Sequence, residues 1–320
     1  MKFYKNKVKI TLLSIVIMVS LVTAAVATIN VSSVEAKNFD GVEDTGLKQL
    51  LTVMMELEAK AEKGDADAQF KLGFYYYAGM NVGKDLGRAI MWLTLAHEQG
   101  EIEASNLLGE IYQASSKHHR VQTTAFNYFK AAADGGLPLG QLNLGVMYYR
   151  GFGIKRDFSK ALTLFLSASK QGVPVADFYI GVIYEKAHGV KQDLPKALYW
   201  YQSSSDKGFV NGSLKAALYY MNGYGTTQNE AEAFKYYKIA AESGNSTGQF
   251  IIGTMYRFGR GTLIDLELAY TWLVVAQVNS YKAAKRQAEA VKRKLTRDQL
   301  RSATKHIDSI INNNLSLMGI

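Results

Sequence analysis

The chain has no cysteine, and that absence removes disulfides, thiolate metal sites, a cysteine nucleophile and a lipid-modified cysteine near the N-terminus. Proline is nearly as scarce, with 3 in 320 residues, so little in the composition interrupts long helices. Chemical signatures are missing too: there is no H-E-x-x-H, no G-x-S-x-G and no P-loop. The stretches Gly151-Phe152-Gly153, Gly223-Tyr224-Gly225 and Gly259-Arg260-Gly261 lack the preceding strand and further glycines that a nucleotide cradle needs. His118 and His119 are adjacent, a spacing that seldom aims two rings at one ion, and no third ligand is near in sequence. They read as a solvated loop, and His97, His188 and His306 are scattered. No catalytic residue, cofactor or metal is expected.

Two features stand out at the ends of the chain. Lys2, Lys5, Lys7 and Lys9 precede an apolar run from Ile10 to Ile29, and a polar stretch then ends at Val34-Glu35-Ala36. This is the pattern of a secretory signal over residues 1–36, cleaved after Ala36, with Ala25-Val26-Ala27 as a second cleavage site. The run is also long enough to serve as an uncleaved membrane anchor. Either way the body is expected outside the cytoplasm, in the periplasm or the extracellular space. No later segment has the apolar length of a membrane span.

The formal charge of +9 suggests an anionic partner until it is located along the chain. Residues 37–280 hold equal numbers of basic and acidic side chains. Residues 281–306 hold nine basic ones, from Lys282 to Lys305, against Glu289 and Asp298. An electrostatic role therefore belongs to this C-terminal stretch, with an anionic membrane surface or an acidic partner as the counterpart. Nucleic acid is not expected of an exported chain. Ala284, Ala288, Val291 and Leu295 give the stretch one apolar stripe, which suits a capping helix with a solvated basic back.

Between the ends the sequence is periodic. Tyrosine recurs every 36 residues at Tyr76, Tyr112, Tyr148, Tyr184, Tyr220 and Tyr256. Alanine keeps the step from Ala89 through Ala125, Ala161, Ala197 and Ala233 to Ala269. Glycine follows from Gly73 to Gly253, broken by Ala217, and again from Gly100 to Gly244, ending at Ser280. A large residue recurs at Trp92, Tyr128, Leu164, Trp200, Tyr236 and Trp272. Such a period dictates an array of like units.

Within a unit, Ala68-x-x-x-Leu72-Gly73-x-x-Tyr76 lies on one face of a first helix, A. Ala89-x-x-Trp92-x-x-x-Ala96 lies on one face of a second, B, which Gly100 stops. Asp85, Asp157, Asp193, Asn229 and Asp265 are placed to cap helix B. Gly73 and Ala89 allow close helix approach, with Tyr76 and Trp92 filling the space between hairpins. One hairpin cannot bury both faces, so stacking is expected to build a continuous core.

The expected fold is all-α: a right-handed α-solenoid of six helix-turn-helix repeats at 65–100, 101–136, 137–172, 173–208, 209–244 and 245–280. A linker and starting helix occupy 37–64, with Leu50, Leu51, Met54, Leu57 and Ala61 as its apolar face and Gly64 as its end. Basic capping helices and a tail occupy 281–320. Thr296 and Gln299 form a capping box for the last helix.

The run Ala68-Gln69-x-x-Leu72-Gly73-x-x-Tyr76-x-x-Gly79 through Asp85, Ala89 and Trp92 to Ala96 and Gly100 resembles the Sel1-like repeat family, a relative of the tetratricopeptide repeats with a longer loop between the helices. The resemblance covers about residues 65–280. Repeat two departs from it, with Ser115-Ser116-Lys117-His118-His119-Arg120-Val121 where glycine and aspartate normally lie, and repeat five has Ala216-Ala217 for Leu-Gly. The resemblance implies a non-catalytic adaptor that binds a protein or peptide. It also implies two alternatives: an immunity protein that neutralises an exported toxin, and an envelope hydrolase of β-lactamase or peptidoglycan-related type. The β-lactamase-linked branch of the family is cysteine-rich, unlike this chain.

If the hairpins pack as tetratricopeptide hairpins do, helix A lines a concave groove. Its candidate partner-binding residues are Phe74 and Tyr77, then Asn106, Glu110 and Gln113, then Tyr149 and Arg150, Glu185 and Lys186, and Arg257 and Phe258. Aromatic, arginine and amide groups suit such a surface.

Overall fold

The computed structural model describes the backbone of residues 45–317 and the side chains of residues 51–312. The expected signal or anchor at 1–36, residues 37–44 of the 37–64 linker and starting helix, and the side chain of Leu50 lie outside the described residues.

All regular structure among the described residues is helical. A starting helix, α1 (Thr45–Glu62), precedes six hairpins: α2 (Ala66–Ala78) with α3 (Leu86–Glu98), α4 (Ile102–Ser115) with α5 (His119–Asp134), α6 (Pro138–Arg150) with α7 (Phe158–Lys170), α8 (Pro174–Lys186) with α9 (Leu194–Asp206), α10 (Val210–Asn222) with α11 (Glu230–Glu242), and α12 (Ser246–Phe258) with α13 (Leu266–Val278). Two closing helices follow, α14 (Ala284–Lys292) and α15 (Arg297–Leu317). None of the described helices is long and apolar enough to cross a membrane. The chain forms two compact units, one ending at Arg156 and the other beginning at Asp157, so the division falls between the two helices of repeat three.

The ends of the helices follow from side-chain chemistry. Asp85, Asp157, Asp193, Asn229 and Asp265 each accept a hydrogen bond from the N–H three residues on, at 2.8 to 3.1 Å, satisfying a donor that the helix itself cannot pair. At the other end of helix B, Gly100, Gly136, Gly172, Gly208 and Gly244 stand at φ between +82° and +91°. Ser280 takes the same place in repeat six at φ +66°, a conformation that its Cβ disfavours. Thr296 and Gln299 form the expected capping box: the Gln299 N–H donates to Thr296 Oγ1 at 3.2 Å and the Thr296 N–H to Gln299 Oε1 at 3.0 Å.

Repeat two solves its loop differently. It has no left-handed residue after helix A; Ser116 is extended at φ −162° and α4 runs on to Ser115. The buried Gln122 donates its amide to the carbonyls of Gln113 and Ser116, closing a loop that the other repeats close with a left-handed residue, Gly79, Gly151, Ala187, Gly223 or Gly259.

The core corrects one expectation. Trp92, Tyr128, Leu164 and Trp200 are only half-buried, although Tyr236 and Trp272 are buried. The deepest large side chain of helix B is the next residue: Leu93, Phe129, Phe165, Tyr201 and Leu273 are fully buried and Tyr237 nearly so. Leu93, Phe129, Tyr201 and Leu273 each seat against the helix-A glycine twenty residues earlier. A Cβ on Gly73 would lie 2.7 Å from Leu93 Cγ, one on Gly109 2.5 Å from Phe129, one on Gly181 2.7 Å from Tyr201 and one on Gly253 2.8 Å from Leu273. The glycine is therefore the hole for this knob. The recurrent tyrosines are also less deep than a core series requires: Tyr76 is buried, but the other five are half-buried. Tyr112 stacks on Tyr128, and Tyr220 on Tyr236.

Candidate binding surface

The candidate residues all occupy helix A of their repeats. In the first unit, Phe74 and Tyr77 on α2 are half-buried and pack against the cluster of Leu93, Ala96, Ala104, Leu107, Leu108 and Ile111. Lys84 Nζ lies 5.6 Å from the Tyr77 ring centroid, so one face of that phenol already meets a cation.

On α4, Asn106 is buried, and its amide donates to Glu110 Oε1 at 2.9 Å. Asn143, one helix-A element further on, donates to Asn106 Oδ1 at 3.0 Å and to Glu110 Oε1 at 3.4 Å. Glu110, Gln113 and Asn143 are half-exposed. Gln113 points its amide at Met147 Sδ, 3.3 Å away. The structure thus brings Asn106, Glu110 and Asn143 into one polar cluster across repeats two and three. Asn143 escaped the sequence reading, which took only Tyr149 and Arg150 from α6. The signal that could have found it is a polar residue interrupting the apolar run Leu142-Asn143-Leu144. At the end of α6, Tyr149 is half-buried, and the exposed Arg150 lies 5.6 Å from the Phe152 ring.

In the second unit the candidate charges are largely engaged internally. Glu185 accepts from Tyr201 Oη at 2.5 Å and from Lys215 Nζ at 2.9 Å, and Lys186 Nζ is 3.0 Å from its other oxygen. Burial pushes the Glu185 carboxyl up, but the hydrogen bonds from Tyr201, Lys215 and Lys186 outweigh it and hold the group at about 2. Burial and the neighbouring Glu185 charge push the Tyr219 phenol up. Arg257 hydrogen-bonds Gln287 on α14 and lies 4.9 Å from the exposed Phe258 ring. Lys186 and Phe258 are exposed at their helix ends.

An open cleft of about 350 Å³ lies along α9 and α11, lined by Tyr199, Gln202, Ser203, Asp206, Lys207 and Tyr236. Its polar groups are engaged: Gln202 donates to the Tyr220 and Tyr236 hydroxyls at 3.0 and 3.1 Å, and Ser203 donates to Asp177 at 2.7 Å. No group of three His, Asp or Glu side chains among the described residues could hold a metal ion, and His118 and His119 are both exposed. The surface offers hydrogen-bonding and stacking groups for a ligand.

The chain resembles several solved structures. It matches a Sel1 repeat protein from Oxalobacter formigenes at 25% identity and a TM-score of 0.61, over 72% of this chain and 95% of that one. It matches a protective antigen of uropathogenic Escherichia coli strains at 23% identity and a TM-score of 0.49, over 81% and 71% of the two chains. An immunity protein from Pseudomonas aeruginosa matches at 20% identity and a TM-score of 0.45, over 66% and 80%. No curated protein matches in sequence. The family model for the Sel1 repeat matches six times, at residues 66–101, 102–137, 138–173, 174–209, 213–245 and 246–274, and the chain therefore belongs to the Sel1 repeat family.

Proposed function

We propose that the protein is a non-catalytic scaffold that holds an extended stretch of another polypeptide against the helix-A face of its first unit. The observation that carries this reading is the Asn106, Glu110 and Asn143 cluster, a preorganised set of amide and carboxylate groups that reaches the surface beside half-buried aromatics. An extended peptide presents alternating N–H and C=O groups, which a carboxylate and an amide can meet at fixed spacing. Tyr77 and Tyr149 add large contact area at low entropic cost. Membership of a repeat family whose members generally act as interaction scaffolds supports the same reading. The leader-like N-terminus suggests that this work is done in the bacterial envelope or outside the cell. An immunity role would be the case in which the bound polypeptide is an exported toxin.

The test starts from a displayed random-peptide library selected on the full chain. A selected peptide is then titrated by fluorescence anisotropy against wild type, E110A/Q113A and, as a control in the other unit, K186A. Loss of about 2 kcal/mol or more in E110A/Q113A is expected, the size of a hot spot, with K186A unchanged. Equal affinity for all three proteins, or no enriched peptide, would refute the reading.

A further inference from the structure

The loop of repeat six departs from the others in a way that repetition makes visible. Just before the helix-B cap, repeats one, three, four and five carry Gly83-Lys84, Lys155-Arg156, Lys191-Gln192 and Thr227-Gln228, whereas repeat six carries Leu263-Ile264. Both side chains face water, Leu263 at 87% and Ile264 at 66% exposure. Phe258, 58% exposed, stands where repeats three, four and five have Arg150, Lys186 and Asn222. A Cβ on Gly259 would lie 2.9 Å from Ile264 Cγ1, so the isoleucine folds back over the residue next to Phe258. Three large apolar side chains thus gather at one loop, without the burial that would justify them.

Both ends of this loop are tied to the basic terminal helices. Arg257 hydrogen-bonds Gln287 on α14, and Glu267 lies 3.7 Å from His306 Nδ1 on α15. Ala284, Ala288 and Val291 turn inward on α14, and Ala303 and Ile307 on α15. All nine lysines and arginines from Lys282 to Lys305 are exposed. Arg301 makes an ion pair, with Asp298 at 3.7 Å; the other eight make none among the described residues. An apolar tip therefore stands beside a field of uncompensated cations.

The geometry points to a peripheral site for an anionic phospholipid surface, with Phe258, Leu263 and Ile264 entering the headgroup boundary and the basic side chains of 282–305 seated on the lipid phosphates. Cations are drawn to such a surface, and buried aliphatic groups add to the attraction; stable attachment takes two signals of this kind. A bilayer accepts isolated aliphatic tips without a matching pocket, which an acidic protein would have to provide. The inference is independent of the helix-A reading, because no candidate of the first unit contributes to it.

The test is vesicle flotation of the full chain. Partition onto phosphatidylglycerol-containing vesicles is compared with partition onto pure phosphatidylcholine, so that any contribution of the apolar N-terminal run is common to both. At low salt, preference for the anionic vesicles by about tenfold or more is expected. L263T/I264Q, which installs the residues that repeat five carries in this place, is expected to lower that partition about tenfold. K292E/R293E/K294E is expected to abolish the anionic preference, with circular dichroism confirming that both variants fold. Leu263→Trp gives a second readout, a blue shift of the added emission when anionic vesicles are supplied. No anionic preference in wild type, unchanged partition of L263T/I264Q or an unshifted tryptophan would overturn the inference. So would capture of polyglutamate by the same lysines and arginines in the absence of vesicle binding, which would assign them to an acidic protein.

Discussion

Lys207 sets its ammonium 2.6 Å from Oδ2 of Asp177, a carboxylate with no exposure to water, in the place where repeats one and six put the amide pairs Gln69–Gln99 and Gln249–Asn279. Gln69 and Gln249 also donate to the carbonyls of Ala61 and Ala241 in the preceding helix. Asp177 cannot do so, because a carboxylate only accepts. Lys207 makes that contact instead, reaching Ser169 O at 3.2 Å while it neutralises the aspartate.

Removal of this ammonium should strand a buried charge. Lys207→Ala is expected to cost about 3 kcal/mol in urea unfolding, while D177Q/K207Q, which imports the repeat-one pair, should recover most of it. Equal stability of Lys207→Ala and wild type would show that Asp177 is satisfied by Ser203 alone.

The knob-and-hole pairing makes a volume prediction. Gly181→Ala places a methyl 2.7 Å from Tyr201 Cε1 and should lower stability by about 1–3 kcal/mol. In the double variant G181A/Y201L the smaller knob should return part of the loss. Additive costs in a four-way cycle of urea midpoints would refute direct contact.

Ala187 closes helix A of repeat four at φ +56°, where repeats one, three, five and six use glycine at φ +68° to +74°. Relief of the Cβ clash should outweigh the added freedom of the unfolded chain, so Ala187→Gly is expected to raise stability by about 1 kcal/mol. A lower thermal midpoint in the glycine variant would contradict this.

Glu185 predicts an acid limb. Its folded value of about 2 lies below the 4.5 of a free glutamate, so the native state binds fewer protons than the unfolded chain in this interval. The stabilisation is complete above about 4.5 and disappears as pH falls toward 2. Glu185→Gln should flatten that part of the stability profile, read as urea midpoint against pH. A parallel profile would mean that other carboxylates dominate acid unfolding.

Much of the architecture is legible in the sequence because capping and stopping are local. Asp85 works through its side chain on the Arg88 N–H, and Gly100 through its own backbone, each within a few residues. Burial depth is not local. Trp92 and Leu93 are 100° apart on helix B, and both directions fall within an apolar arc. What selects Leu93 is the missing side chain at Gly73, on another helix. The same limit explains Glu185: its offset on helix A places it on the expected face, but nothing near it in sequence announces Tyr201 or Lys215. Gln122 is the converse case, a side chain just past the loop that closes it by reaching back to the carbonyls of Gln113 and Ser116, where the loop's own residues predict no closure.

The polar contacts at the hairpin junctions have a consequence for how such an array can change. Amide pairs close repeats one and six and Asp177 with Lys207 closes repeat four, each within its own unit, whereas His97 meets Ser105 at 2.8 Å across repeats one and two and Ser205 meets Ser213 at 2.7 Å across repeats four and five. Units cast in one 36-residue mould are therefore not exchangeable parts. Recombination of whole units would carry the Asp177–Lys207 pair along intact but would part His97 from Ser105 and Ser205 from Ser213. The order of those neighbours is therefore itself inherited information.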